Sequence, residues 1–324
     1  TKYFRSPPSA HAAQHGKIEL PMLREIRQIL AIILMVWTLG LLVACAEPVD
    51  SDLPIGPQIP SIDSDANISI VTWNIENFPQ MGNRTTERVE LILDALNADI
   101  YCLQEIDNKS DLDEIVDALD QYQVVHSSSD SYVRSIVFKP SVLLFLGTTE
   151  ILRSNSYEFA WRPPFLSSFL FSQNGKEQTL NIIDVHLKAF GDQESIQRRH
   201  DACNLLHDYL SDAISLGDSN FVVAGDWNDD IHDTDNSGQY SFEAFLNDNT
   251  NFRFTTDSLS ATGSVRDASY PSYPSFIDHI LISRSLFDEE RNSSISTIRL
   301  DEVFGDYSSV VSDHRPVAWS FKPQ

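Results

Sequence analysis

Six short stretches bring acidic, amide and imidazole side chains to places where apolar runs stop. They are Trp73 to Asn77 (WNIEN), Gln104-Glu105, Asp184 to His186 (DVH), Gly225 to Asn228 (GDWN), Ile277 to His279 (IDH) and Ser312 to Arg315 (SDHR). A histidine oriented and kept protonatable by a carboxylate is the general means of acid–base work near neutral pH. Hard oxygen donors suit Mg²⁺, which is held by one or two carboxylates while it keeps several waters. The sequence has neither a Cys₂His₂ cluster nor an HExxH helix, so zinc has no evident ligand set. Hydrolysis of a phosphate ester asks for this combination: neutralise the phosphate charge, activate a water, stabilise the leaving oxygen. Taken singly each stretch is weak. An Asp after Gly is ordinarily a turn residue, and a Glu at a strand end is ordinarily solvated.

The elements that must position these residues are legible in part. Ile68 to Trp73 is a short β-branched run and predicts a buried strand. Val89, Ile92, Leu93 and Leu96 fall at i, i+3, i+4 and i+7, which predicts an amphipathic helix over 86–97. Residues 99–103 read as a second strand ending at Gln104-Glu105, and Leu112, Ile115, Val116 and Leu119 repeat the helical spacing. Further strands are expected over 122–125, 135–138, 142–146, 180–187, 220–228, 276–283 and 317–321. A helix over 195–210 carries Arg198 and Arg199. Many strands mixed with a few helices, without strict alternation, predict an α+β layered sandwich. Nothing resembling a linker interrupts 67–322, so one domain is expected there.

Composition narrows the function classes. The 324 residues are 42% hydrophobic and 22% charged, enough to bury a core. Twelve Gly and fifteen Pro exclude a collagenous polymer, and three Cys are too few for a disulfide scaffold of this size. Against 47 acidic residues stand 23 basic ones, a formal charge of −24. That balance argues against holding nucleic acid by broad electrostatic attraction. It does not exclude an enzyme that meets phosphate through a bound metal. No motif recurs at a fixed period, which excludes a solenoid or propeller.

Together and in this order, WNIEN, QE, DVHL, GDWN, IDHI and SDHRPV resemble the deoxyribonuclease I-like endonuclease/exonuclease/phosphatase superfamily over nearly all of residues 68–321. The resemblance implies a four-layer αββα sandwich, two packed mainly antiparallel β-sheets flanked by helices, with metal-dependent phosphoester hydrolysis at one edge. It implies Glu105 as the first metal ligand with Asn74 beside it, and Asp313 and Glu76 as further contributors. His314 would pair with Asp278, and Asp226 would orient or deprotonate the attacking water. Asn228 would donate a hydrogen bond to the transition-state phosphate, and His186 would bond another phosphate oxygen. Arg162, in WRPPF, would lie near the substrate phosphate. Some members pair the second histidine with a Glu from an earlier loop; that partner is not identifiable from this sequence. His279 points to the strand face opposite Asp278 and reads as structural, while Lys188 and Arg199 read equally as substrate-side cations or a solvated face. The implied cofactor is Mg²⁺ or Mn²⁺. The leading substrate is nucleic acid, DNA or RNA, hydrolysed by a monomer. Alternatives are a sphingomyelinase-like action on phospholipid headgroups or a small phosphoester on the same site, and a surface binding protein that has lost catalysis.

The amino-terminal part is read separately. Ile29 to Ala46 is a long apolar run behind Arg24 and Arg27, with Met22 the nearest start. It reads as a secretory signal, at a length that also suits a membrane anchor. Leu42-Val43-Ala44-Cys45 resembles the bacterial lipobox, in which the Cys is lipidated and becomes the mature terminus. The expected divisions are an upstream extension over 1–21, a lipoprotein signal peptide over 22–44, a Pro/Asp-rich tether over 45–66 and the catalytic domain over 67–322. The protein is then expected in the cell envelope, anchored to the membrane by lipid outside the cytoplasm, at the outer membrane if the host is Gram-negative. Removing the first 44 residues takes away five basic and two acidic residues and leaves a charge of −27. Cys102 reads as core and Cys203 as helical, and their pairing is not readable from sequence. Asp233 to Gly238 opens like a calcium loop, but its twelfth position is Ala244 and Glu243 falls one short. An acidic surface loop is expected there rather than a structural Ca²⁺ site.

Overall fold

The computed structural model describes residues 58–62, 67–129, 131–173, 176–232 and 241–324. The signal peptide, Cys45, most of the tether and the calcium-like stretch from Asp233 lie outside the described residues.

Among the described residues the strands build two six-stranded sheets. The first runs β11 (Ser294–Thr297), β12 (Val317–Phe321), β1 (Ile68–Phe78), β2 (Ile100–Ile106), β4 (Val133–Phe138), β3 (Gln123–His126). The second runs β5 (Leu143–Glu150), β6 (Phe165–Gln173), β7 (Lys176–His186), β8 (Phe221–Asp226), β10 (Asp278–Ser283), β9 (Phe252–Phe254). Each sheet is antiparallel except for one central parallel pair, β1 with β2 and β7 with β8. A parallel neighbour needs a crossover. Helix α1 (Asn83–Leu96) supplies it in the first sheet and α3 (Gln193–Ser215) in the second, while α2 (Lys109–Ala118) follows β2.

The apolar spacing explains the layers. Val89, Ile92, Leu93 and Leu96 are buried on one stripe of α1, and Leu112, Ile115 and Val116 on one stripe of α2, all against the outer face of the first sheet. Cys203, Leu206 and Leu210 of α3 pack on Ile183 and Val223 of the second sheet. Between the sheets lie Ile70, Cys102, Phe138, Phe169, Ile182 and Ile280. Each such Ile or Phe side chain contributes roughly 1.5–3 kcal/mol on burial, so the sandwich interior contributes heavily to cohesion. The result is the expected four-layer αββα arrangement. Helix α1 starts three residues before the expected 86, because Thr85 is buried and its hydroxyl donates to the Val310 carbonyl at 2.6 Å. Asn97, left-handed at φ 54°, ends it. Cys102 and Cys203 are free, buried thiols in different layers, so they do not pair. Among the described residues no helix is long and apolar enough to cross a membrane.

Candidate active site

The two parallel pairs decide where polar groups collect. At their carboxyl ends β1 carries Asn74 and Glu76, β2 carries Glu105, β7 carries His186 and β8 carries Asp226. Register pairs Asn74 with Gln104 and His186 with Asp226. Strand β10 is antiparallel to β8, so its first residue, Asp278, arrives at the same edge opposite Asp226. The turn before β12 brings Asp313 and His314. Nine of the ten expected catalytic, substrate and metal residues, all but Arg162, thus collect at one end of the two sheets, and most face a cleft of about 610 Å³.

Local backbone geometry holds the edge open. Gly225 approaches the neighbouring strand so closely that a Cβ there would lie 2.0 Å from the Val185 carbonyl oxygen, which is why this position before Asp226 is Gly. Glu105 (φ 62°) and Asn228 (φ 56°) adopt left-handed backbone, uncommon for non-glycine residues. Such strain costs on the order of 1–3 kcal/mol and persists where surroundings over-determine it. Here the Asn77 amide donates to Glu105 Oε2 at 3.0 Å, and the Asn228 amide donates to Asp226 Oδ1 at 2.9 Å.

His314 is the centre of the first cluster. Its Nδ1 lies 2.9 Å from Asp278 Oδ2, and its Nε2 lies 3.8 Å from Asp313 Oδ1 and 4.0 Å from Asp226 Oδ2. Burial alone would lower its pKa; Asp278 and Asp226 outweigh that and raise it to about 10. Asp226 is buried, and its pKa is raised by burial; the favourable His314 charge offsets part of this and Asp278 adds to it. Asn74 Nδ2 donates to Asp226 Oδ2 at 2.9 Å. Ser269 Oγ accepts the Asp278 amide, so that carboxylate is fixed from behind. The His314 loop is fixed too. Ser312 Oγ donates to the Asn74 carbonyl at 2.7 Å and accepts the His314 amide, while the Tyr307 hydroxyl donates to the His314 carbonyl at 2.6 Å.

The second cluster is acidic and opens to the cleft. Glu76, Glu105 and Asp313 converge there, and the Glu76 pKa is raised by burial and by the charges of Asp313 and Glu105. Asn74 sits beneath them: Nδ2 donates to Glu105 Oε1 at 3.1 Å, and Oδ1 accepts the Glu76 amide. Crowded carboxylates with hard oxygens are the donor set a divalent cation takes, so these residues fit the metal implied by the sequence. A separate triad of Asp226, Asp278 and His314 has ligand atoms within 4.8 Å of one another, but the His314–Asp278 hydrogen bond makes it an acid–base unit.

His186 lies between the clusters, with Nε2 3.7 Å from Glu105 Oε1 and 3.6 Å from Asp226 Oδ2. These are the carboxylate neighbours that the sequence left open. Burial first, then the charges of Arg162, His314 and Arg134, hold its pKa well below the ordinary imidazole value, so it is neutral. Asn228 Nδ2 donates to the Leu187 carbonyl at 3.2 Å.

Arg162 is half-buried near Asp226 and Glu105 and is held by backbone. It does not line the cleft. Its Nη2 donates to the Leu187 carbonyl at 2.8 Å and its guanidinium lies 5.7 Å from the Tyr132 ring centroid, with burial lowering its pKa to about 10. Arg199 is no solvated cation either. It is buried, bonds Asp229 Oδ2 at 3.0 Å and donates to the Lys188 and Phe190 carbonyls. His279 is structural as expected, held by Thr256 Oγ1 and the Asp229 carbonyl. Sequence reasoning missed the aromatic lining of Tyr132, Phe190, Tyr270 and Tyr273. It also missed Arg134, which is fully buried and donates to the Arg162 and Pro163 carbonyls; a cation inside the apolar run of β4 was the available signal.

Residues 71–314 match the family model described as "Endonuclease/Exonuclease/phosphatase family". The fold is similar to solved structures over about four-fifths of the chain. Zebrafish (D. rerio) TDP2 complexed with a single-strand DNA product is 18% identical with a TM-score of 0.58, covering 80% of this chain and 100% of that one. The human Nocturnin catalytic domain with bound sulfate is 17% identical with a TM-score of 0.55, covering 81% and 96%. A mannosyl-6-phosphatase from Bacteroides thetaiotaomicron is 14% identical with a TM-score of 0.55, covering 78% and 99%. No curated protein matches the sequence.

Proposed function

The chain belongs to the endonuclease/exonuclease/phosphatase family, a family of hydrolases acting on phosphoester bonds, and on that premise we propose that it is a metal-dependent nuclease cleaving phosphodiester bonds of DNA or RNA outside the cytoplasm. The observation that carries the reading is the Asp278–His314–Asp226 arrangement beside the open carboxylates Glu105, Glu76 and Asp313. Nucleic acid is favoured as substrate by the TDP2 relative, which was solved with single-strand DNA product.

Glu105, with Asn74 beside it, and Glu76 and Asp313 would hold a divalent ion, Mg²⁺ or Mn²⁺. When bound, such an ion neutralises phosphate charge and the charge growing on the leaving oxygen. The chain's own groups do the rest. Asp226, with its raised pKa, accepts the proton of a water as that water's oxygen attacks phosphorus and the P–O bond to the leaving group breaks. The Asn74 amide and Asn228 backbone fix the carboxylate for this, which is orientation rather than new charge. His314, protonated and aligned by Asp278, donates from Nε2 to a phosphate oxygen as negative charge accumulates there. Neutral His186 donates from Nε2, and Asn228 supports the same end of the phosphate. Arg162 acts through the Leu187 carbonyl and Tyr132 rather than by contact.

The test is one substrate screen: plasmid, RNA, sphingomyelin and inositol phosphates, each with Mg²⁺. Cleavage of a nucleic acid supports the reading, and turnover confined to the lipid or the sugar phosphates overturns it. The second reading, a small phosphoester substrate, draws on the acidic surface and on the mannosyl-6-phosphatase relative.

A further inference from the structure

Several aromatic rings in the cleft have no role in the core. Phe190 is 74% exposed and Tyr273 is 76% exposed, yet both line the same cavity as His186, Asp226 and His314. Isolated exposed aromatics are ordinary; two that share one cleft with the proposed catalytic groups are not. Topology puts them on opposite sides of that cleft. Phe190 follows β7, Tyr273 precedes β10, and these strands are the two neighbours of β8, whose end carries Asp226. Tyr132 adds a third ring, 6.4 Å from His186 and edge-on to it.

The backbone of Phe190 gives an independent observation. Its φ is 83°, a genuine outlier for a bulky residue. The loop is held in that conformation from beneath by the buried Arg199, whose Nη1 donates to the Phe190 carbonyl at 2.7 Å and the Lys188 carbonyl at 2.8 Å while Nε bonds Asp229. A buried guanidinium, paired with the partly exposed Asp229, thus keeps an apolar ring in water at the mouth of the site. Strain of this kind persists only where the surrounding structure over-determines it, and it clusters at functional sites. Lys188 Nζ lies 4.3 Å from the same ring, so one cation accompanies the aromatic face.

From this we infer that Phe190 and Tyr273 form a stacking subsite for unpaired nucleobases on either side of the cleaved phosphodiester, making single-stranded nucleic acid the preferred substrate. The inference rests on the nuclease reading above and deepens it. A chain with 47 acidic and 23 basic residues is poorly suited to drawing a polyanion by broad charge attraction, whereas stacking on an aromatic face needs none and accepts every base. A base inside a duplex offers its faces to its own neighbours and has none to give.

The experiment measures KM and kcat with Mg²⁺ on one labelled single-stranded oligodeoxynucleotide, its duplex, and the same backbone with every base replaced by a tetrahydrofuran abasic residue. For the wild type the single strand is expected to have the lowest KM. Removing the bases raises it, and KM on the single strand changes little from 0.05 to 0.3 M NaCl. Phe190→Ala and Tyr273→Ala should each raise KM on the single strand about five- to a hundredfold and match the wild type on the base-free backbone. Phe190→Trp should keep the wild-type value, which a merely structural role would not require. Equal KM for base-free and base-bearing strands, a preference for duplex, or unchanged KM in both alanine variants overturns the inference while leaving the nuclease reading intact. Loss of binding to sphingomyelin–phosphatidylcholine vesicles in those variants, with KM on oligonucleotide unchanged, makes the rings lipid contacts and also overturns it. If no oligonucleotide is cleaved while another phosphoester is, both the inference and the nuclease reading fall.

Discussion

Asp226 and Asp278 are register partners across the β8–β10 ladder, so two buried carboxyl groups share one rung at the edge of the sheet. The Asp278 charge so placed adds to the raised proton affinity of Asp226. His314, arriving from the loop before β12 in the other sheet, places Nδ1 on Asp278 at 2.9 Å and Nε2 4.0 Å from Asp226. The two carboxylates raise the His314 pKa to about 10 against burial, while burial first and the Asp278 charge raise that of Asp226, which a protonated His314 offsets only in part.

The dyad should act as a unit. His314→Ala is expected to lower kcat by roughly 10²–10⁴, the range of a general acid–base group. Asp278→Asn should lose much of the same factor, and the double variant should be far from additive. Steady-state kcat of the three variants checks this, and near-wild-type turnover by His314→Ala would show that the histidine is not catalytic.

The pH dependence has a defined sign. Asp226 must be ionised to accept a proton, and its pKa is raised, so the acid limb of kcat/KM should lie above the ordinary Asp value of ~3.9. His314 must be protonated to donate, so the alkaline limb should fall near pH 10. Asp278→Asn removes the leading partner that holds His314 up and should move the alkaline limb down. Stability follows the same group. Its folded pKa exceeds the unfolded value of ~6.5, so its contribution is fully present below that pH and lost as pH climbs to about 10. Tm of the wild type should drop over that window more than Tm of His314→Ala.

How much of this the residues announce depends on local contrast. Val89, Ile92, Leu93 and Leu96 place α1 because its other face is polar, and IYCL places β2 because both its faces are buried. Strand β6 escapes such reading. Ser167 points inward among Phe165 and Phe169 while Leu166 and Leu170 are half-exposed, so alternation is blurred. Strands β9 and β11 span three and four residues and derive their order from β10 and β12 rather than from their own pattern. The site was legible where strand ends carry Asp, Glu, Asn and His. Phe190 and Tyr273 were not, since an aromatic in a loop has no period to reveal it. Arg162, expected near the substrate phosphate from its Arg-Pro pair, is bonded to the Leu187 carbonyl, a contact that no pattern in the sequence announces.

Gly225 makes a stability prediction separate from chemistry. A methyl group there would meet the Val185 carbonyl at 2.0 Å, on the parallel β7–β8 pair that carries His186 and Asp226. Gly225→Ala should destabilise the fold by roughly 1–3 kcal/mol, as overpacking does, and lower kcat by displacing Asp226. Urea denaturation and turnover measured together test it; wild-type stability would mean the strands can part without cost.

The proposed envelope location rests on lipidation of Cys45. With the thiol as the lipid attachment point, Cys45→Ser should release the protein from the membrane fraction or leave it unprocessed. Because Ala46 follows, the expected destination is the outer membrane in a Gram-negative host. Recovery of the wild type wholly in the soluble cytoplasm would contradict this.

Hydrolysis with and without divalent ions bears on everything above. Glu105, Glu76 and Asp313 converge on one cleft, and the charges of Glu105 and Asp313 raise the Glu76 pKa, a repulsion that a divalent cation would relieve. Cleavage of a labelled single-stranded oligonucleotide should stop with EDTA and return with Mg²⁺ or Mn²⁺. Glu105→Gln should need far more Mg²⁺ for half its maximal rate. Undiminished cleavage by the metal-stripped protein, or an unchanged Mg²⁺ requirement in Glu105→Gln, would contradict the proposed chemistry at its root.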